Sequence, residues 1–221
     1  MAVSGSPPSL ASDPALPDAD PASLAAALAA ALEQSSALHG HLCPRQVLGA
    51  RSTLLAGRLL GLPLPRTDKR LLVLTETDGC YADGLSAASG CWLGRRTLRL
   101  MDYGRVAATF VDTRTGRAVR VWPQTDLRER VRAGRPAEQK RYQAYLDAYR
   151  SWPDAELLAA REVTLHFDLD GLLSRHGQRE VCSSCGEEII NERWVRRGER
   201  VLCPACLSGA YYVWAPPLTE L

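Results

Sequence analysis

Four cysteines in two close pairs, Cys182-Ser-Ser-Cys185 and Cys203-Pro-Ala-Cys206, stand 17 residues apart near the end of the sequence. This falls within the Cys-x2-Cys, x15–20, Cys-x2-Cys spacing of zinc sites. Each pair can form a tight knuckle whose backbone amides face the sulfurs, and four thiolates close a tetrahedron. Residues 188–201 alternate well enough for a hairpin, and Pro204 can open a helix. The spacing therefore predicts a treble-clef or ribbon zinc finger over residues 177–221. A unit this small cannot hold itself together by its own core, whereas a structural zinc contributes on the order of 10 kcal/mol to folding. Seven cysteines are an odd number, which disfavours a disulfide framework and points to a reducing, cytoplasmic setting. A closed four-Cys site has no open coordination position, so its expected role is structural.

The finger carries Arg193, Arg196, Arg197, Arg200 and Trp194, residue types that can touch nucleic acid. Glu187, Glu188, Glu192 and Glu199 dilute that charge, and the whole chain has a net charge of only +2. Nucleic acid is therefore not the expected partner. Of the 27 basic residues only Lys69 and Lys140 are lysine. The arginines are scattered among Ala and Leu, a compositional bias more than a phosphate-binding surface. No run approaches the ~20 apolar residues of a membrane span.

The other 176 or so residues are long enough to bury a core of their own. Residues 1–21 are rich in Pro, Ser and Ala and hold no Lys or Arg, which predicts a disordered tail. The Ala/Leu run from Ala22 to Leu32 follows acidic residues and so does not read as a secretory segment. It reads as a helix capped by Asp20, with Leu24, Leu28 and Leu32 on one face. A second helix begins at Pro44 and stops at Gly61-Leu62-Pro63. A buried strand is expected over Leu71–Thr77, then a short helix capped by Asp83 and closed by Gly94. Strand-like runs at Thr97–Met101, Arg105–Val111 and Arg117–Trp122 predict a three-stranded meander. Residues 125–160 read as helical, with Tyr142, Tyr145 and Tyr149 as packing residues, and Val163, Leu165 and Phe167 as a strand. The layout over 22–176 is an α+β domain with a helical extension.

Two segments of this domain carry chemistry. In His39-Gly40-His41-Leu42-Cys43-Pro44, an extended backbone would put His39, His41 and Cys43 on one face. Pro44 would then open a helix whose N-terminus favours a Cys43 thiolate. Such a segment suits a metal or a reactive thiol. Cys80-Tyr-Ala-Asp83 follows the first strand and opens a helix, a common location for a site. Cys91 reads as a small core hydrophobe, and His166 and His176 as packing or surface residues.

These segments, with Gly90-Cys91-x-x-Gly94-x-x-x-Leu98 and Asp102-Tyr-Gly104-Arg-x-Ala107, resemble the FmdE family, named for a component of formylmethanofuran dehydrogenase. Many members of that family append a four-Cys finger. Arg45 departs from its pattern, which usually has Gly after Cys-Pro. The resemblance implies an α-β-α-β-β-β domain like the second domain of glyceraldehyde phosphate dehydrogenase, a homodimer, and a cleft lined by the His-x-His-x-Cys segment and Cys80-x-x-Asp83. The expected ligands are Cys182, Cys185, Cys203 and Cys206 for Zn2+, with His39, His41, Cys43 and Cys80 for a second transition metal. The expected function is accessory to molybdenum, tungsten or related metal metabolism, with an enzyme of that pathway as partner. Catalysis by this chain alone is not implied, because no cluster spacing for iron–sulfur carriers is present. One alternative is an oxidoreductase or formyl-transfer enzyme, with Cys80 the thiolate and Asp83 the orienting carboxylate. The other is a zinc-finger regulator that binds nucleic acid.

Overall fold

The computed structural model describes residues 20–173 and 177–215. Residues 1–19 of the expected tail, and His176, lie outside them. The chain divides into two compact units at Leu165/His166.

The first unit begins with α1 (Pro21–His39), capped as expected by Asp20, whose carboxylate accepts from the Ser23 amide at 3.0 Å. The helix runs seven residues past the expected end at Leu32. The polar turns after Leu32 still suit a helix, and Ser35 is buried in the packing. Gly40 stops it by adopting a left-handed φ of 81°, with its amide bonded to the Ser36 carbonyl. Helix α2 (Pro44–Leu60) starts at the expected proline and ends at Gly61. Strand β1 (Leu71–Thr75) is wholly buried. Helix α3 (Cys80–Ser89) starts three residues before Asp83 and is closed by Gly90, not Gly94. Asp83 is therefore in the first turn, and Cys91 lies beyond the helix, buried and bonded to the Leu71 carbonyl.

Strands β2 (Leu98–Leu100), β3 (Ala108–Asp112) and β4 (Ala118–Pro123) follow. After them come α4 (Leu127–Ala133), α5 (Arg141–Ser151), the single turn α6 (Asp154–Leu157) and β5 (Leu158–Glu162). The sheet order is β2-β1-β3-β4-β5. The mixed α+β class is as expected, and the order from α2 to β4 is α-β-α-β-β-β. The meander is corrected in one respect: β1 lies between β2 and β3 and pairs with β2 in parallel. The reason is that the turn at Asp102–Gly104 does not reverse a hairpin. It passes the end of β1, with the Met101 amide bonded to the Thr75 carbonyl and those of Tyr103 and Arg105 to the Glu76 carbonyl. Glu76 is itself buried against Arg105 and Arg120, at 2.7 and 2.6 Å. Despite its burial, those guanidiniums hold its carboxyl below the ordinary range. The strand expected around Val163–Phe167 instead occupies Leu158–Glu162, where pairing along the β4 edge outweighs the weak strand preference of Ala159 and Ala160.

Helices α1, α2 and α3 cover one face of the sheet, and the core between them includes Val47, Leu55, Val73, Leu85, Phe110 and Val121. Tyr81 is buried there and satisfies its hydroxyl on Ser52 at 3.0 Å. None of the described helices is long and apolar enough to cross a membrane.

The second unit contains α7 (Leu169–Leu173), β6 (Arg179–Val181), β7 (Glu188–Ile190), β8 (Val195–Arg197), β9 (Arg200–Leu202) and α8 (Pro204–Ser208). The expected hairpin over 188–201 is split. Glu188–Ile190 pairs back with β6, and the hairpin proper is β8–β9. Pro204 opens α8 as expected. Cys182, Ile189, Val201 and Leu202 form its small core.

Candidate metal centres

The first candidate centre lies where the end of α1 meets the starts of α2 and α3. His39 is the last residue of α1, Cys43 is the N-cap of α2, and Cys80 opens α3. Two glycines let α2 and α3 approach this closely. A Cβ on Gly49 would stand 2.3 Å from the Tyr81 carbonyl oxygen, and one on Gly84 would stand 2.1 Å from that of Gln46. The helix backbones therefore touch. Buried Gln46 fixes the Cys43 segment: its Oε1 accepts from the Cys43 amide at 2.6 Å, and its Nε2 donates to the Ser35 carbonyl on α1 at 3.2 Å.

These contacts gather a ring nitrogen of His39 and the sulfurs of Cys43 and Cys80 within 4.8 Å of one another. His39 Nε2 is 3.3 Å from Cys80 Sγ, and His39 Nδ1 is 2.8 Å from Asp83 Oδ2. An ionised carboxylate requires Nδ1 to donate, which leaves Nε2 facing the sulfurs. A carboxylate behind an imidazole is how proteins fix the orientation of a metal-ligating histidine. Two thiolates and one imidazole suit zinc and softer transition metals, and three protein ligands leave a coordination position open. The donor set fits such an ion.

His41 is not in this group. Its ring lies against that of His39, with centroids 4.7 Å apart and planes at 53°. Because α1 runs through His39 and Gly40 turns left-handed, residues 39–43 are not an extended strand, and the single-face alignment of His39, His41 and Cys43 does not form. Asp83 stands behind His39 and does not cap its own helix; Gly79 takes that position. Burial first, and then the neighbouring Cys43, push the Cys80 thiol above its ordinary pKa. Tyr142 of α5 donates to the Leu42 carbonyl at 2.6 Å beside the site. Sequence reasoning missed Gln46, Gly49, Gly84 and Tyr142. The two glycines on facing helices carried a usable signal, since a glycine inside a helix usually has a packing reason.

In the second unit the sulfurs of Cys182, Cys185, Cys203 and Cys206 also lie within 4.8 Å of one another. Edges of a zinc–sulfur tetrahedron are roughly 3.8 Å, so little movement is needed to close one. The expected knuckle amides are in place, Cys203 N–H to Cys182 Sγ at 3.4 Å and Cys206 N–H to Cys203 Sγ at 3.3 Å. Amides of Cys185, Cys203 and Ser184 lower the Cys182 pKa to about 6. The neighbouring Cys203 and Cys185 thiols push that of Cys206 up to about 12. Four thiols so crowded ionise together only around a cation.

The model of a family described as FmdE, molybdenum formylmethanofuran dehydrogenase operon, matches residues 38–159, more than half of the chain and the whole of the first centre. The chain belongs to the FmdE family. A solved FmdE-like protein of Syntrophus aciditrophicus, described as belonging with tungsten formylmethanofuran dehydrogenase, superposes with a TM-score of 0.54 at 22% identity, covering 84% of this chain and 95% of that one. At that identity it supports the fold. A probable S-adenosyl-L-methionine-binding protein of Archaeoglobus fulgidus is 33% identical over 94 residues. The match covers 41% of this chain but spans only about a quarter (26%) of that relative.

Proposed function

We propose that this FmdE-family chain is a two-site metalloprotein that serves molybdenum or tungsten formyl oxidation or related metal metabolism. The observation that carries the reading is the His39 imidazole, held by Asp83 on one nitrogen and facing Cys80 with the other, with Cys43 closing the group. In this reading His39, Cys43 and Cys80 hold a transition metal with a position open for a ligand. His41 stands beside them as an additional donor. The four-Cys site holds a structural zinc. A homodimer, a partner enzyme of that pathway and a cytoplasmic location belong to the same proposal. Seven free thiols suit a reducing compartment.

The test is metal analysis of the purified protein. Wild type is expected to carry two ions per chain, and Cys43→Ser with Cys80→Ser one. Equal stoichiometry in both would remove the first site.

A second reading is favoured by the same three atoms in line: Cys80, His39 and Asp83 have the order of a nucleophile, base and orienting carboxylate. It requires a readily ionised Cys80, whereas burial and Cys43 oppose ionisation. Rapid alkylation of Cys80 in metal-free protein at pH 7 would favour the enzyme; slow alkylation favours the metal site. The nucleic-acid reading gains nothing from the finger, where Arg179 and Arg196 pair with Glu188 and Glu180.

A further inference from the structure

A cavity of about 580 Å³ opens beside Cys43, within the range of small-molecule sites. One wall is aromatic. Tyr142, Tyr145 and Tyr149 project from α5 at helical spacing and all line it, with the Tyr145 and Tyr149 rings 5.7 Å apart and inclined at 31°. The sequence reading of these residues as packing holds for Tyr149, which is 3% exposed, whereas Tyr142 is 48% exposed. Two guanidiniums also line the cavity, Arg45 from the first turn of α2 and Arg128 from α4. Among the described residues no Asp or Glu lines it. Among them, too, neither arginine is ion-paired with a carboxylate, although most arginines around the sheet are, as Arg51, Arg58, Arg70, Arg105, Arg117 and Arg120 show. Arg45 is also the residue by which this chain departs from the glycine usual after Cys-Pro.

We infer that this cavity binds a small organic anion, a carboxylate or phosphate ester with a flat or apolar body. Arg45 and Arg128 take the charged end, and the tyrosine wall takes the body. Uncompensated guanidiniums recognise carboxylate and phosphate oxygens, and aromatic faces favour planar ligands. Because Cys43 lines one side, such a ligand lies next to the proposed metal position. The inference rests on the metal reading for that adjacency alone. It names the chemical class of ligand the cleft takes.

The test is calorimetric titration of the full chain, as purified, with 1-naphthyl phosphate, 1-naphthoate and uncharged 1-naphthol, with metal content measured on the same samples. Saturable binding of at least one of the two anions is expected, with naphthol at least tenfold weaker. Arg45→Gln and Arg128→Gln should each weaken anion binding on the order of tenfold while leaving naphthol unchanged. Both side chains are at the cavity surface, and a thermal melt establishes that each variant folds. Absence of binding by both anions at millimolar concentration overturns the inference, as does equal affinity for anions and naphthol. Unchanged anion affinity in both variants does so too. Metal present without anion binding refutes this inference alone. Anion binding without cleft metal refutes only the metal reading.

Discussion

Replacing Gly84 by alanine tests the contact on which the first metal centre depends. The added Cβ would fall 2.1 Å from the Gln46 carbonyl oxygen, 2.9 Å from its carbonyl carbon and 3.0 Å from the Ala50 amide nitrogen. Ordinary contact needs about 3.5 Å, so α2 and α3 must separate by roughly 1 Å or more. The opposing atoms are backbone, and no side-chain rotation relieves them. Overpacking of this kind costs about 1–3 kcal/mol, and rigid neighbours place it at the upper end. Alanine gains up to about 1 kcal/mol over glycine in helix propensity, which leaves a net loss of about 2 kcal/mol. Gly134, in αR geometry at the end of α4, is the control, because the nearest neighbour of a Cβ added there would be 3.6 Å away. There alanine should be neutral or stabilise by about 0.4–1 kcal/mol. Urea unfolding followed by tryptophan fluorescence gives both values. Because ligand positions tolerate only about 0.2 Å, Gly84→Ala should also lose the cleft metal while keeping the finger's. If Gly84→Ala proved as stable as wild type and kept both ions, the backbone contact would not be what sets the spacing of Cys43 and Cys80.

Asp83→Ala removes the carboxylate behind His39 and is expected to weaken cleft metal binding about 10–100-fold in a competition titration; wild-type affinity would show that His39 needs no support. Arg51 is 6% exposed and donates to Asp154 at 2.9 Å and to the carbonyls of Arg150 and Trp152 at 3.2 and 2.8 Å, so Arg51→Met should cost about 3–5 kcal/mol. A loss under about 1 kcal/mol by urea unfolding would contradict that. Arg70 lowers the pKa of Asp112 from 3.8 to about 2. A lowered folded-state pKa adds stability that is full above about pH 4, about 2 kcal/mol, and is lost as pH falls through about 2. The stability gap between wild type and Asp112→Asn should therefore shrink over that window, and a gap independent of pH would be the contrary result. Chelation should unfold residues 177–215 and leave the first unit protected, as read by hydrogen exchange; protection unchanged in both units would remove the structural zinc.

The sequence by itself determined what short-range chemistry fixes. The four-Cys spacing, Asp20 and Pro21 at the start of α1, and Pro44 and Gly61 bounding α2 needed only neighbours within a few residues. So did the candidates Cys43, Cys80 and Asp83, since a cysteine or carboxylate at a helix start is visible in one dimension. The class α+β and the order of its central elements followed from these. What the tertiary structure decided depended on partners far along the chain. Nothing near Leu32 shows that α1 continues to His39, yet that continuation puts His39 into the site and His41 beside it. Residues 102–104 look like a hairpin turn until Glu76 supplies the acceptors that carry them past β1. Asp83 became the partner of His39 because two glycines, 35 positions apart in the sequence, let α2 and α3 touch. Local propensity acts over one or two turns of chain, whereas close packing of backbones selects among the arrangements it permits, and the ligand geometry is set at that second step.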